Sequence, residues 1–271
     1  MVRVIFYVFL FFGLLVGPFS SAPNWIYSAS AKPLQGLVPA DWAVAVSVVD
    51  GDTLVLDDGR QVRLVGVQAP KLPLGRKNFK TWPLATASKQ ALERLALGKR
   101  LRLSYGGRRI DRYNRALAHL HNADGLWIQA ALLREGMARV YSFSDNRAVV
   151  SALLAAERVA RLGGHGIRAH PFYAIRTPDS IQRYIGGFQL VEGRVLKVAT
   201  VRKMTYLNFG DNWRDDFTIT INSRSRRLFK KIGLDPKSLE GKIVRVRGWV
   251  KSRNGPMITA THPEQIEVLP N

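Results

Sequence analysis

Two tight turns set the local architecture of the first half of the chain. Asp50-Gly51-Asp52 and Asp57-Asp58-Gly59 cut residues 43–67 into three short runs, Ala43–Val49, Thr53–Leu56 and Gln61–Val67. The first run, Ala43-Val44-Ala45-Val46-Ser47-Val48-Val49, alternates in the manner of a strand, and acidic-glycine turns join antiparallel neighbours. Lys99–Tyr105 and Arg115–Leu120 read as two further strands. Leu84–Leu97 carries Leu84, Ala91, Leu92 and Leu95 on one helical stripe and is closed by Gly98. Ile128–Glu135 reads as a short helix stopped by Gly136, and Arg147–Leu162 as a longer one stopped by Gly163-Gly164. Five short strands with interspersed helices predict a small closed barrel with helices packed against it.

The pattern then recurs. From about His165 to Gly187 the composition shifts to Gly, Pro and His, which suits a linker. Beyond it, Gln189–Val198, Lys203–Phe209, Asp216–Ile221, Lys242–Lys251 and Gln265–Leu269 read as strands, with a basic helix at Arg224–Ile232. The expected fold class is therefore mainly β with helices (α+β), as two tandem OB-type five-stranded barrels. The first occupies residues 42–168, a linker 169–187, and the second 188–271.

Charge narrows the class of partner. The 271 residues carry a net charge of +21, and 46% of them are hydrophobic, so a packed protein is expected rather than a disordered basic tail. Residues 32–175 hold 22 basic against 11 acidic side chains and residues 176–271 hold 18 against 9, so both halves are basic in proportion. Such a surface suits a polyanion: DNA or RNA first, an envelope lipid or glycan second. With no cysteine, a disulfide scaffold, a lipoprotein anchor and a thiolate zinc site are excluded.

The first 31 residues read as an address. After Arg3 comes an apolar run, Val4–Val16, of signal-peptide length and short of the ~18 residues that favour a membrane span. Ala29-Ser30-Ala31 fits a cleavage site. The protein is expected to be exported, periplasmic or secreted, with an uncleaved membrane tether through the same apolar segment as the alternative.

Four segments of the first block carry the chemistry. They are Val49-Asp50-Gly51-Asp52-Thr53, then Val62-Arg63-Leu64-Val65-Gly66-Val67-Gln68-Ala69-Pro70-Lys71, then Asp111-Arg112-Tyr113-Asn114-Arg115-Ala116-Leu117-Ala118, and Leu132-Leu133-Arg134-Glu135-Gly136-Met137-Ala138. In this order and spacing the series resembles the staphylococcal nuclease family over about half the chain, from Ala43 to Arg168. The resemblance implies an OB-type barrel with packed helices and phosphodiester hydrolysis of nucleic acid with Ca2+. It implies that Asp52 is a calcium ligand, that Arg63 and Arg115 grip the scissile phosphate, and that Tyr113 and Tyr141 lie beside the bound nucleotide. Arg112 is read with Tyr113 as nucleic-acid-binding. Two forked guanidinium groups on adjoining strands suit a phosphate whose charge grows in the transition state.

One motif departs from the family. Where the family carries D-T-P-E, with a second calcium ligand and the general base, this chain has Gln68-Ala69-Pro70-Lys71. Gln68 keeps a carbonyl oxygen but brings no charge, and Lys71 places a cation where water is normally activated. At ~5 Å and an effective dielectric of ~20, each unit charge pair is worth about 3 kcal/mol, which opposes a divalent ion held mainly by Asp52. Calcium binding, by Asp52 with Gln68, is therefore expected to be weak or absent. Two escapes stay open, neither demanded by the sequence: Lys71 replaces the metal as a point charge on the phosphate with Asp50 or Asp52 as base, or, with a depressed pKa, Lys71 is itself the base.

Elsewhere the signals are weaker. His119 and His121 share a strand face, but no third metal ligand is evident. In the second block, Tyr206 and Trp213 lie in the densest aromatic run, among Arg224, Arg226, Arg227, Lys230 and Lys231. Stacking aromatics in a basic groove would hold a single strand, while Phe209 and Phe217 suit a core. The sequence thus points to a nuclease-like protein acting on DNA or RNA. The rivals are an inactive binding relative of that family and an envelope polyanion-binding protein.

Overall fold

The computed structural model describes residues 34–212 and 214–270, so the address segment at 1–31 and Trp213 lie outside the described residues. The first half is built from β1 (Val38–Asp50), β2 (Thr53–Leu56), β3 (Gln61–Leu64), β4 (Gly66–Gln68), α1 (Ala85–Ala96), β5 (Arg100–Tyr105), β6 (Ala116–Asn122), α2 (Ile128–Arg134), β7 (Arg139–Tyr141) and α3 (Val150–Gly163). The two acidic turns do what their composition demands: β1, β2 and β3 form an antiparallel meander. The long, bulged β1 pairs with β5 as well as β2, and this closes a five-stranded barrel in the order β1-β2-β3-β6-β5. The pairing of β3 with β6 is parallel.

Alternation puts Leu54, Leu56, Val62, Leu64, Leu101, Leu103 and Leu120 inside the barrel, and α1 and α2 cover it with Leu92, Leu95, Ile128 and Leu132. The turn carrying Asp50 and Asp52 is pinned under α1. A Cβ on Gly51 would lie 2.1 Å from Ser88 Oγ, so only glycine lets the turn approach so closely.

Sequence periodicity missed the two-stranded ribbon of β4 and β7. Gly66 breaks Gln61–Val67 into two strands: its φ is +83°, and a Cβ there would meet Leu153 of α3 at 2.4 Å. The chain leaves the barrel at that point to pair Gln68 with Arg139. Residues 169–187 carry two 3-10 turns, Pro171–Tyr173 and Ile181–Tyr184, and bury Tyr173 and Ile181. The Tyr173 hydroxyl donates to Pro83 O at 2.7 Å.

Among the described residues the second half contains seven strands where the sequence suggested five. They are β8 (Phe188–Arg194), β9 (Lys197–Val201), β10 (Met204–Asn208), β11 (Thr218–Asn222), β12 (Ile243–Ser252), β13 (Pro256–Thr259) and β14 (Ile266–Val268), with α4 (Ser223–Lys231) between β11 and β12. The single strand expected at Gln189–Val198 splits at Val195-Leu196, and the four-residue β13 opens on a proline that masks it. The sheet runs β14-β12-β13-β11-β10-β9, with β8 also on β12, and β11 pairs with β13 in parallel. Its core holds Phe209, Phe217, Phe229, Ile219, Val246 and Ile258. Asn222 caps α4 by accepting from the Ser225 amide at 2.8 Å.

Candidate active site

Sheet register assembles the site. Thr53 pairs with Arg63, and Arg63 with Leu117, so the Asp50–Asp52 turn, β3 and the start of β6 meet at one rim of the barrel. Beside them opens a cleft of about 460 Å³ lined by Arg63, Arg112, Tyr113, Arg115 and Tyr141, with Arg108, Asp111 and Phe143 among the other walls. Five of the residues singled out in the sequence therefore converge on one cavity.

Their guanidinium groups are held in place. Arg63 donates to the carbonyls of Leu64 and Val67, both at 2.7 Å, and lies 3.3 Å from Asp52 Oδ2. Arg115 pairs with Asp111 through Nε at 2.8 Å and through a terminal nitrogen at 2.7 Å. Tyr113 is exposed and carries Arg112 on one side, 4.7 Å from the ring centre, with Arg115 at 5.3 Å. An exposed aromatic ring flanked by two cations suits a stacked base next to a phosphate.

Asp52 and Lys71 sit behind this cleft, away from its lining. Asp52 is fully buried. The Lys71 ammonium lies 2.8 and 2.7 Å from its two carboxylate oxygens and 3.2 Å from Asp50 Oδ2. The Ala69 amide donates to Asp52 Oδ2 at 2.7 Å. Burial disfavours the charged form of Asp52, but Arg63 and then Lys71 outweigh it and hold the carboxyl at about 2. Asp50 is pushed the other way, by burial and by the charge of Asp52.

Gln68 goes elsewhere. Its Oε1 accepts from Arg139 Nε at 2.9 Å and from a terminal Arg139 nitrogen at 2.7 Å, the cross-strand partner that the β4–β7 ribbon supplies. Asp52 and Gln68, the pair for which weak or absent calcium binding is expected, give their oxygens to different cations, Lys71 and Arg139. No group of three or more His, Asp or Glu suited to a metal occurs among the described residues. A hard cation that takes six to eight oxygens does not fit this donor set. His119 is buried and His121 half-buried, both against Trp127. Burial and the neighbouring His121 push His119 down to about 3.

Several participants were not legible beforehand. Phe143 is half exposed beside the cleft, and Tyr141 packs edge-on against both Phe143 and Phe188. The Trp249 indole of β12 donates to the Tyr141 hydroxyl at 2.9 Å, so Tyr141 serves the cleft and the junction with the second half together. Deeper in that junction, fully buried Glu157 of α3 accepts from Arg247 at 3.0 and 3.2 Å, Arg168 at 2.6 Å, Arg161 at 3.1 Å and the Val140 amide at 2.7 Å. Burial opposes its charge, but Arg247 and Arg168 hold it at about 2. Of the second-half candidates, Tyr206 is half-buried on β10, paired with Thr220, and takes no part in the cleft.

A closed five-stranded barrel with helices on its flank and an arginine-tyrosine cleft at its rim is the architecture of an oligonucleotide-binding barrel. The comparisons agree. The family model described as Staphylococcal nuclease homologue matches residues 61–169. A thermonuclease of Staphylococcus intermedius is 32% identical over 102 residues, 36% of this chain and 59% of that protein. An uncharacterized endonuclease of Escherichia coli O157:H7 is 31% identical over 111 residues, 40% of this chain and 66% of that protein. The chain thus spans about three-fifths of the length of the curated relatives it matches. Residues 61–169 form a domain of the staphylococcal nuclease family.

Proposed function

We propose that this protein acts on nucleic acid, DNA or RNA, through the cleft of Arg63, Arg112, Tyr113, Arg115 and Tyr141, with a phosphodiester as the group it grips. The observation that carries the reading is the convergence of these five side chains from separate segments on one cavity. The relatives' names, thermonuclease and endonuclease, support a nuclease type of action. In such a reaction water attacks phosphorus, one P–O ester bond breaks, the electron pair leaves with the ester oxygen, and the water's proton passes to a base. Arg63 and Arg115 would stabilise the added charge. The second reading, binding without turnover, is favoured by Lys71, whose ammonium lies on the carboxylates beside the cleft.

Three extensions belong to the same proposal. Residues 1–31 serve export or tethering, a reading supported by the apolar run after Arg3. The domains divide at 42–168 and 188–271, with 169–187 joining them. The second is an OB-type barrel, supported by its parallel β11–β13 pair amid antiparallel neighbours and by β8, which follows the linker and lies on β12.

Digestion of fluorescent single-stranded DNA and RNA by the full chain, with and without chelator, tests the proposal. Arg63→Ala/Arg115→Ala is the control for contaminating nuclease. Cleavage by the wild type alone establishes the nuclease reading, and binding without cleavage establishes the second. Neither binding nor cleavage overturns both.

A further inference from the structure

The buried carboxylate pair behind the cleft already has its cation. Asp50 and Asp52 face a common point, and Lys71 Nζ occupies it, with carboxylate oxygens at 2.7, 2.8 and 3.2 Å. An ammonium has three N–H donors and no acceptor, so three carboxylate oxygens saturate it. None of the three donors remains for a phosphate, and Lys71 is absent from the cleft lining. The carboxylates are also constrained. Ser88 packs closely against the turn at Gly51, the Ala69 amide donates to Asp52 Oδ2, and Arg63 lies 3.3 Å from the same oxygen. Gln68 gives its side-chain oxygen to Arg139, and the Thr53 hydroxyl donates to Asp52 Oδ1 at 3.3 Å. A divalent ion entering here would have to expel Lys71, and it would then find two carboxylates beside a fixed guanidinium.

We infer that Lys71 is the resident cation of this site, standing in for the divalent ion of the family, so that the domain engages nucleic acid independently of divalent metal. Lys71 acts as a positioning residue. It keeps Asp50 and Asp52 together, and through Asp52 it fixes the guanidinium of Arg63 at the cleft wall. The inference rests on the nucleic-acid reading above, yet its metal half can be tested alone.

The experiment is calorimetric titration of calcium into the full chain as wild type, Asp52→Asn, Lys71→Glu and Lys71→Glu/Asp52→Asn, with thermal melts in calcium or chelator alongside. The wild type is expected to take up no calcium at millimolar concentration and to melt identically in both buffers. Lys71→Glu places a third carboxylate beside Asp50 and Asp52 and is expected to gain calcium binding that Asp52→Asn removes. Calcium uptake by the wild type that disappears in Asp52→Asn would overturn the inference, whether or not Lys71→Glu folds. So would a folded Lys71→Glu that gains no binding. In parallel, oligonucleotide affinity of the wild type should agree within about twofold between chelator and calcium, and a gain of about tenfold or more in calcium would overturn it. Absence of oligonucleotide binding in both buffers would overturn the functional reading alone, and the calcium titration would still decide this one.

Discussion

The two halves of the molecule pair their strands alike and charge their clefts oppositely. In the first, β3 lies parallel to β6, and in the second β11 lies parallel to β13, each amid antiparallel neighbours. The cleft of the first half is walled by Arg63, Arg108, Arg112 and Arg115. A cleft of about 400 Å³ in the second is walled by Phe209, Phe217, Asp179, Asp215 and Asp216, with no basic residue among its described walls. Four cations of the second half lie instead on the exposed side of α4, at Arg224, Arg227, Lys230 and Lys231. Two sheets that each hold one parallel pair therefore carry an arginine-lined cleft in one half and an aspartate-lined one in the other. Strand pairing says where a cleft opens, and a few side chains on the rim say what enters it.

That contrast can be broken most severely where the halves join. Glu157→Gln leaves Arg247, Arg168 and Arg161 without their shared carboxylate, and removing one partner from a buried ionic cluster costs about 3–5 kcal/mol. Chemical denaturation should show that cost and separate the unfolding of the two halves. A single transition at wild-type stability would refute the coupling. Phe217→Ala, which empties a fully buried site in the second core, should cost roughly 3 kcal/mol in the same measurement and leave oligonucleotide affinity for the first cleft intact.

Acid gives a smaller effect of defined sign. The carboxyls of Asp52 and Glu157 are held down to about 2, from ordinary values of 3.8 and 4.5. A depressed folded-state pKa contributes stability that is present above the unfolded value and is lost as pH falls through the folded one. Asp52 should therefore withdraw about 2 kcal/mol and Glu157 about 3 kcal/mol as pH falls from roughly 4.5 through 2, and Asp52→Asn should flatten the first share. Melting temperature against pH reads this directly, and a profile unchanged in Asp52→Asn would count against the Lys71–Asp52–Arg63 arrangement. Least costly is Trp249→Phe, which deletes the indole bond to Tyr141 and should lower stability by about 1 kcal/mol in a double-mutant cycle with Tyr141→Phe.

How far the sequence reached follows from the range of each signal. The Asp50-Gly51-Asp52 turn, the barrel strands and the helices α1 to α3 announce themselves through contiguous patterns, and Arg63, Tyr113 and Arg115 through the motifs containing them. The β4–β7 ribbon is three residues on each side, too short for a period of two to register. It is this ribbon that draws Gln68 to Arg139, a pairing across 71 positions that no local pattern encodes. Glu157 is one acid in an otherwise apolar and basic helix and reads as a solvated charge. Its burial depends on Arg247, 90 positions away. Phe143 and Trp249 are single aromatics whose exposure is set by the packing of the two halves. Lys71 stands out in the sequence as the decisive departure from the motif, but the direction of its ammonium is set by the folded turn beneath α1.

The most direct test of the central claim, that the arginine cleft grips a nucleic-acid backbone, is the salt dependence of oligonucleotide binding by the wild type and Arg63→Ala/Arg115→Ala in chelator. The account predicts tight binding by the wild type that weakens steeply with salt, and a double variant whose log–log slope is shallower by about two, one for each phosphate no longer neutralised. Equal slopes and equal affinities for the two proteins would contradict it and move the nucleic-acid surface away from the cleft.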